Sequence, residues 1–277
     1  MQIVWLGQPD CHDPARVGGK AANLSRLAAT YPVPPGFCLT ATSAQHHPRQ
    51  IYAAAIDEAY AQLARLAGMS EPRVAVRSSA VDEDGVRASF AGQHETFLNV
   101  CGPTAIRDAV MRCFHSALAP RAMAYRRQNG LSTDHIRLAV LVQHLVNADT
   151  SAVIFSANPM TCSRDEVVIT ANWGLGESIV GGTVTPDTFL VRGATVEARP
   201  SDKERMTVAV DSGVREVPVP RLLRRQPTLT DAQAREMADL ARSLEATTGY
   251  PVDVECAWKA SRLYLLQCRP ITTLSAA

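Results

Sequence analysis

Apolar positions along this chain follow two periods. Runs of strand length, rich in Val, Ile and Leu, occur at 74–76, 138–142, 152–155, 167–170, 252–258 and 263–268, and predict β-strands. A helical period places Ala234, Met237, Ala238, Ala241 and Leu244 on one buried face. Thr230 with Gln233 forms a capping-box signature before it, and Gly249 supplies the stop. A second helical segment opens at Gly102-Pro103 and runs to near Gly130, because proline in the first turn sacrifices no hydrogen bond. A third is expected from near Gln50 to Leu66, ended by Gly68. The mixture predicts an α+β protein.

The stretch 199–227 breaks this order with Pro200, Pro218, Pro220 and Pro227 and a weak alternation near 206–210. It is expected to be a mobile excursion, with a hairpin as one form it can take. The sequence contains no internal repeat.

Composition narrows the function. The chain has 277 residues, 46% of them hydrophobic, enough to bury a sizeable core in one large domain or two lobes. A formal net charge of +1 supplies no long-range field for nucleic acid or an acidic membrane, so anionic ligands must be held by local clusters. No apolar stretch is long enough to predict a membrane span. The seven cysteines contain no C-x-x-C pair, which argues against a disulfide framework and a zinc site and points to a reducing cytoplasm.

Two N-terminal motifs suit phosphate. Val17-Gly18-Gly19-Lys20 leads into a helical stretch at 21–29, where glycines permit close backbone approach and a lysine stands at a helix start. The residues are too few for a Walker loop. The apolar run from Arg73 ends in Arg77-Ser78-Ser79, a guanidinium beside small hydroxyls, and Ser89-Phe90-Ala91-Gly92-Gln93 follows. Each motif also has a plain structural reading, as a surface lysine or a solvated hairpin with a charged tip. Asn172-Trp173-Gly174-Leu175-Gly176-Glu177 reads equally as a flexible loop over a substrate or a tight connection.

At the C-terminal end, 252–258 and 263–269 read as a β-hairpin. If its loop is three residues centred on Ser261, Glu255 lies opposite Gln267 and Asp253 opposite Arg269, all on one face. Carboxylate and amide oxygens of that kind suit Mg²⁺, and Arg269 would neutralise a transferring phosphoryl group. Val254, Cys256, Leu266 and Cys268 then share the other face, as buried hydrophobes. The alternative for the polar face is a set of exposed cross-strand ion pairs.

Together these segments resemble the ATP-binding domain shared by phosphoenolpyruvate synthases, pyruvate phosphate dikinases and rifampicin phosphotransferases. Further stretches carry the resemblance in the same order: Val33-Pro34-Pro35-Gly36-Phe37, Gly174-Leu175-Gly176-Glu177 and Leu266-Gln267-Cys268-Arg269-Pro270-Ile271-Thr272. The resemblance implies an ATP-grasp fold whose two lobes, residues 1–145 and 146–277, grip the nucleotide. It matches Lys20 and Arg77 to the family's phosphate-binding residues and Gly92 to its glycine loop. Gln143 to Leu145 match the segment that meets adenine. Glu255 and Gln267 match contacts to the metal and to ribose or phosphate, with Asp253 and Arg269 beside the γ-phosphate; Lys20, Asp253 and Arg269 are the catalytic candidates.

The resemblance also implies a phosphotransferase using ATP and Mg²⁺, with a histidine on a swivelling domain as the first phosphate acceptor. None of the seven histidines stands in the glycine-rich Ser-His motif of that domain. His94, beside the glycine loop, is the one worth testing. A discrete ATP-binding subunit passing phosphate in trans, to a histidine-domain protein or a small molecule, is therefore the leading expectation. A self-sufficient ATP-grasp kinase or ligase, and a non-catalytic nucleotide-binding module, are the alternatives.

Overall fold

The computed structural model describes residues 2–44, 53–81, 96–272 and 274, and the chain divides into two compact units, 1–145 with 210–213 and 146–209 with 214–277. Gly92, the rest of the 89–93 motif and His94 lie outside the described residues.

Among the described residues the first unit carries five antiparallel strands, β1 (Ile3–Trp5), β2 (Gly36–Ser43), β3 (Val74–Ala80), β4 (Thr96–Val100) and β5 (Arg137–His144), in the order β1-β2-β5-β3-β4. Side chains alternate across a strand, so each face has its own cover. Phe37, Leu39, Val74, Val76, Leu138, Val140 and Val142 pack into one core with α2 (Ala53–Ala67) and α3 (Pro103–Ala117). The opposite face, with Cys38, Ala75, Ala139 and Leu141 buried on it, receives α1 (Pro14–Leu27).

The expected helix from Gly102 to Gly130 is two helices. α3 stops at Ala117, and α4 (Pro120–Gln128) starts again at a second proline. Pro120 has no N–H to continue the ladder and forces its predecessor out of the helical region, as Ala119 at ψ 147° records.

In the second unit six antiparallel strands run in the order β13-β12-β6-β7-β8-β9: β6 (Thr150–Phe155), β7 (Val167–Trp173), β8 (Asp187–Arg192), β9 (Thr195–Arg199), β12 (Val252–Lys259) and β13 (Arg262–Pro270). α6 (Asp231–Thr248) lies on this sheet through Ala234, Met237, Ala238, Ala241 and Leu244, the predicted stripe. Its capping box is complete, Thr230 accepting from the Gln233 amide, and Gly249 closes it at φ 80°. The sheet is an α+β antiparallel layer with one helix-covered face.

The excursion at 199–227 is anchored, which corrects the mobile segment expected. It contains the hairpin β10 (Arg205–Ala209) and β11 (Val214–Pro218), and its two ends meet on one carboxylate. Asp187 accepts from Lys203 Nζ at 2.6 Å, from the Ser201 amide at 2.8 Å and from the Thr228 amide at 2.8 Å. Asp187 and Lys203 are both fully buried, and a buried carboxylate is tolerable only with this degree of hydrogen bonding.

No helix among the described residues is long and apolar enough to cross a membrane. The cysteines form no disulfide.

Candidate functional site

In the first unit the Val17-Gly18-Gly19-Lys20 turn is docked on the strand that carries Arg77. Helix α1 starts at Pro14, earlier than expected, and is interrupted at Gly18, whose φ of 75° and ψ of 164° are not helical. A β-carbon at Gly18 would lie 2.3 Å from both the carbonyl oxygen and the hydroxyl of Ser79. Only glycine permits that approach, and only glycine adopts that backbone without strain. Beyond the break, the Ala21 amide donates to Ser79 Oγ at 3.2 Å. Lys20 therefore stands in the first turn of a helical segment seated on β3, and it is half-buried. Arg77, also half-buried, is two residues before Ser79 and shares its face.

The thiol beneath this turn is not a nucleophile. Cys38 is fully buried, and burial raises its pKa well above the ordinary value; burial likewise lifts Cys11 to about 11. Cys38 Sγ lies 3.8 Å from the Val17 carbonyl and fills space under the turn.

Gln143 and Leu145 are placed at the end of β5. Gln143 is buried with its amide donating to the Pro34 carbonyl at 3.2 Å, and the Leu145 N–H donates to the Arg73 carbonyl at 2.8 Å. The Gln143 amide and the Leu145 N–H are thereby engaged within the unit.

In the second unit the hairpin pairs as the spacing predicts. Asp253 is opposite Arg269 and Glu255 opposite Gln267. The route to that register differs from the expected one. The turn holds two residues, Ala260 and Ser261, at φ 48° and 64°, so that Lys259 pairs with Arg262 and Cys256 with Leu265. A bulge between Cys256 and Glu255 then places Leu266 as an extra residue on β13, and this restores the offset that a three-residue turn would have given. The bulge also changes which leucine is buried: Leu265 is fully enclosed and Leu266 only half.

Val254, Cys256 and Cys268 are buried on the other face, as expected. Burial pushes the Cys268 thiol up to about 12 and Cys256 higher still, so both remain packing groups. On the Glu255 side, the register runs through Val153, Thr170 and Thr188; these and Glu255 are half-buried, while Asp253 and Gln267 are buried.

Arg269 is held by an ion pair. Its Nε donates to Asp253 Oδ2 at 2.8 Å, and Nη2 lies 2.7 Å from the same oxygen. The side chains are 17% and 8% exposed, so the ion pair fixes the orientation of the guanidinium. The turn itself is clamped from outside the hairpin: Asp149 accepts from Lys259 Nζ at 2.6 Å and from the Ala260 amide at 3.1 Å. The Lys259 hydrogen bond, then the Ala260 amide, holds the Asp149 carboxyl below its usual range.

The glycine-rich 172–177 segment is a tight connection. At Gly174, φ is 74° and a β-carbon would meet the Thr207 carbonyl at 2.3 Å; the Leu175 amide donates to that carbonyl at 2.8 Å. Ser151 Oγ donates to the Gly174 carbonyl at 2.8 Å from the other side. The short helix α5 (Glu177–Val180) follows, and burial and then the nearby Glu216 charge raise the Glu177 pKa.

Ser79, Asp149 and the Asp187–Lys203 pair are the groups that sequence reasoning did not single out. The lysines were a usable signal: the chain has 28 basic residues, yet only Lys20, Lys203 and Lys259 are lysine, and two of these hold carboxylates at 2.6 Å as compact point charges.

Known proteins resemble this chain in sequence. Residues 45–277 match the pyruvate phosphate dikinase, AMP/ATP-binding domain. A probable phosphoenolpyruvate synthase of Methanocaldococcus jannaschii is 37% identical over 98% of this chain and 27% of its own length. A rifampicin phosphotransferase of Streptomyces sviceus is 45% identical over 72% of the chain and 23% of its own length. The phosphoenolpyruvate synthase of Pyrococcus furiosus is 33% identical over 98% of the chain and 44% of its own length. The chain thus spans about a quarter to under half the length of these relatives.

Proposed function

The chain belongs to the pyruvate phosphate dikinase AMP/ATP-binding domain family, and from that premise we propose that it is the nucleotide-binding part of an ATP-dependent phosphotransferase. Its α+β, two-unit architecture is then of the ATP-grasp class, with residues 1–145 and 146–277 as its lobes. Lys20 and Arg77 bind ATP phosphates, and Gly92 belongs to the glycine loop that accompanies them. Of the Gln143 to Leu145 segment, the half-buried His144 and Leu145 are the part left to meet adenine, since Gln143 is itself buried. Glu255 and Gln267 present oxygen ligands to Mg²⁺, and Arg269, aimed by Asp253, neutralises the transferring phosphoryl group.

The observation that carries this reading is the register of β12 and β13, which puts Glu255 across from Gln267 and Asp253 across from Arg269. The chemistry of the donor set fits the metal: one carboxylate, half-buried, and one amide oxygen, buried across from it, leave most of an octahedral shell to phosphates and water, the usual manner of Mg²⁺ at a nucleotide. Bound there, Mg²⁺ would screen the phosphate charge. Arg269 supplies charge of fixed orientation, which costs no reorganisation at the moment of transfer. Lys20, on a glycine-bounded turn, supplies a second positive charge near amides of a helix start.

Phosphate passes to an acceptor outside residues 1–277, either a histidine-bearing domain or a small molecule, since no histidine in this sequence stands in a carrier motif. The test is to incubate the chain with Mg-ATP, alone and with candidate acceptors, and resolve the nucleotide products. AMP formed only with a histidine domain supports a dikinase; ADP formed with a small molecule identifies a kinase. Arg269→Ala is expected to retain nucleotide binding and lose at least a hundredfold in transfer rate, about 2.7 kcal/mol of barrier. Equal loss of binding and transfer would remove Arg269 from that role.

A further inference from the structure

The lysine turn and the arginine strand of the first unit meet at a single side chain. Ser79 is fully buried. It stands on β3 two residues beyond Arg77, on the same face. Its carbonyl and hydroxyl both face Gly18, where a β-carbon would come within 2.3 Å of each. Its hydroxyl oxygen accepts the Ala21 amide at 3.2 Å. The residues just before and just after Gly19-Lys20 are thus both seated on Ser79.

The physical reason for the second contact lies in the helix break. Once Gly18 leaves the helical region, the first amides of the segment that resumes at Gly19 have no carbonyl to bond within the helix. Ser79 Oγ takes that of Ala21, as an N-cap residue would, but from another element. A cap on the same chain segment would order the helix alone. A cap on β3 orders the helix relative to β3, and β3 is where Arg77 is. The neighbouring Ser78, by contrast, alternates to the opposite face, and its buried hydroxyl has no hydrogen-bond partner among the described residues.

We propose that Ser79 is a positioning residue for the phosphate-binding pair: it sets Lys20 at a fixed offset from Arg77 so that both address one polyphosphate. The proposal rests on the reading of Lys20 and Arg77 as phosphate ligands. Ser79 touches no substrate. It acts through the turn, and its effect is confined to ligands that carry phosphate.

The experiment measures dissociation constants of the full chain for ATP and for adenosine, in the wild type, Ser79→Ala, Lys20→Ala and the double variant, with a melting curve on each. Loss of one hydrogen bond is worth about 1 kcal/mol, so Ser79→Ala should weaken ATP roughly fivefold. Adenosine, which carries no phosphate, should change by less than about twofold. Lys20→Ala should weaken ATP by about tenfold or more. The double variant should bind ATP no worse than Lys20→Ala alone, because a positioning contact has no value once the positioned group is gone.

Ser79→Cys, close in size and a poor acceptor, is read in the same way should the alanine variant fail to fold. The proposal is overturned if Ser79→Ala leaves ATP affinity unchanged, if ATP and adenosine weaken alike, or if the two substitutions add in full. If Lys20→Ala itself leaves ATP affinity unchanged, the phosphate reading falls and this inference falls with it. A strong Lys20 effect with a silent Ser79 overturns the inference alone.

Discussion

The two units hold their candidate phosphate-binding cations by different physics. In the first, the Lys20 turn is held by close backbone approach: a glycine with positive φ lies against Ser79, and one hydroxyl caps one amide. Nothing charged is needed, and the arrangement tolerates no added atom. In the second, Arg269 is held by strand register and a buried carboxylate. That arrangement would tolerate changes of shape but not of charge. Steric positioning fails by overlap, electrostatic positioning by desolvation, and the two should therefore break under different substitutions.

The largest effect is expected at Gly18. Gly18→Ala imposes both the strained backbone and the overlap with Ser79, and should cost about 3 to 5 kcal/mol of stability, read as a fall in the denaturant midpoint at constant m-value. A loss under about 1 kcal/mol would mean that the approach is not tight.

Asp253→Ala ranks second. It strands a mostly buried guanidinium and should cost about 3 kcal/mol. Asp253→Asn keeps the shape, so a similar loss in both variants would show that charge, not packing, holds Arg269.

Smaller effects belong to the turn that sets the register. Ser261→Gly relieves a non-glycine residue at φ 64° and should stabilise by about 0.5 to 1 kcal/mol. Asp149→Ala removes the clamp on the same turn and should cost about 0.5 kcal/mol, as expected of a half-exposed pair. Its pH dependence has a definite sign. The folded carboxyl is held below its ordinary value, so the unfolded chain binds the proton more readily, and the contribution is present above the unfolded pKa near 3.9. It fades as pH falls through the folded value. Wild type and Asp149→Ala should differ at pH 7 and converge in acid.

Much of this architecture was legible in local pattern. The capping box at Thr230 and the stop at Gly249 mark α6 because those residues satisfy orphan groups of the helix itself. The six strands read from apolar runs are all present. Strands that were not anticipated lack a local signature: β8 begins at Asp187, a residue disfavoured in strands, whose burial makes sense only with Lys203 supplied from 16 residues on. The Gly102-Pro103 signal predicts one helix where there are two, because Pro120 is a second start within the same stretch.

The hairpin shows a subtler limit. Counting from an assumed three-residue turn reached the right partners, yet the turn has two residues and the bulge at Leu266 supplies the missing one. Alternation fixes which residues share a face, whereas a bulge depends on contacts that no local window contains. Ser79 reads locally as a small hydroxyl beside Arg77, and nothing in that window announces the close approach of Gly18 on which its proposed role rests. Sequence separation of 58 residues conceals that contact.

The proposed nucleotide-binding role is tested most directly by calorimetric titration of Mg-ATP. Wild type should bind one ATP per chain, and Lys20→Ala in the first unit and Glu255→Ala in the second should each weaken that binding about tenfold or more. Unchanged affinity in either variant, with the fold intact by melting curve, would contradict it.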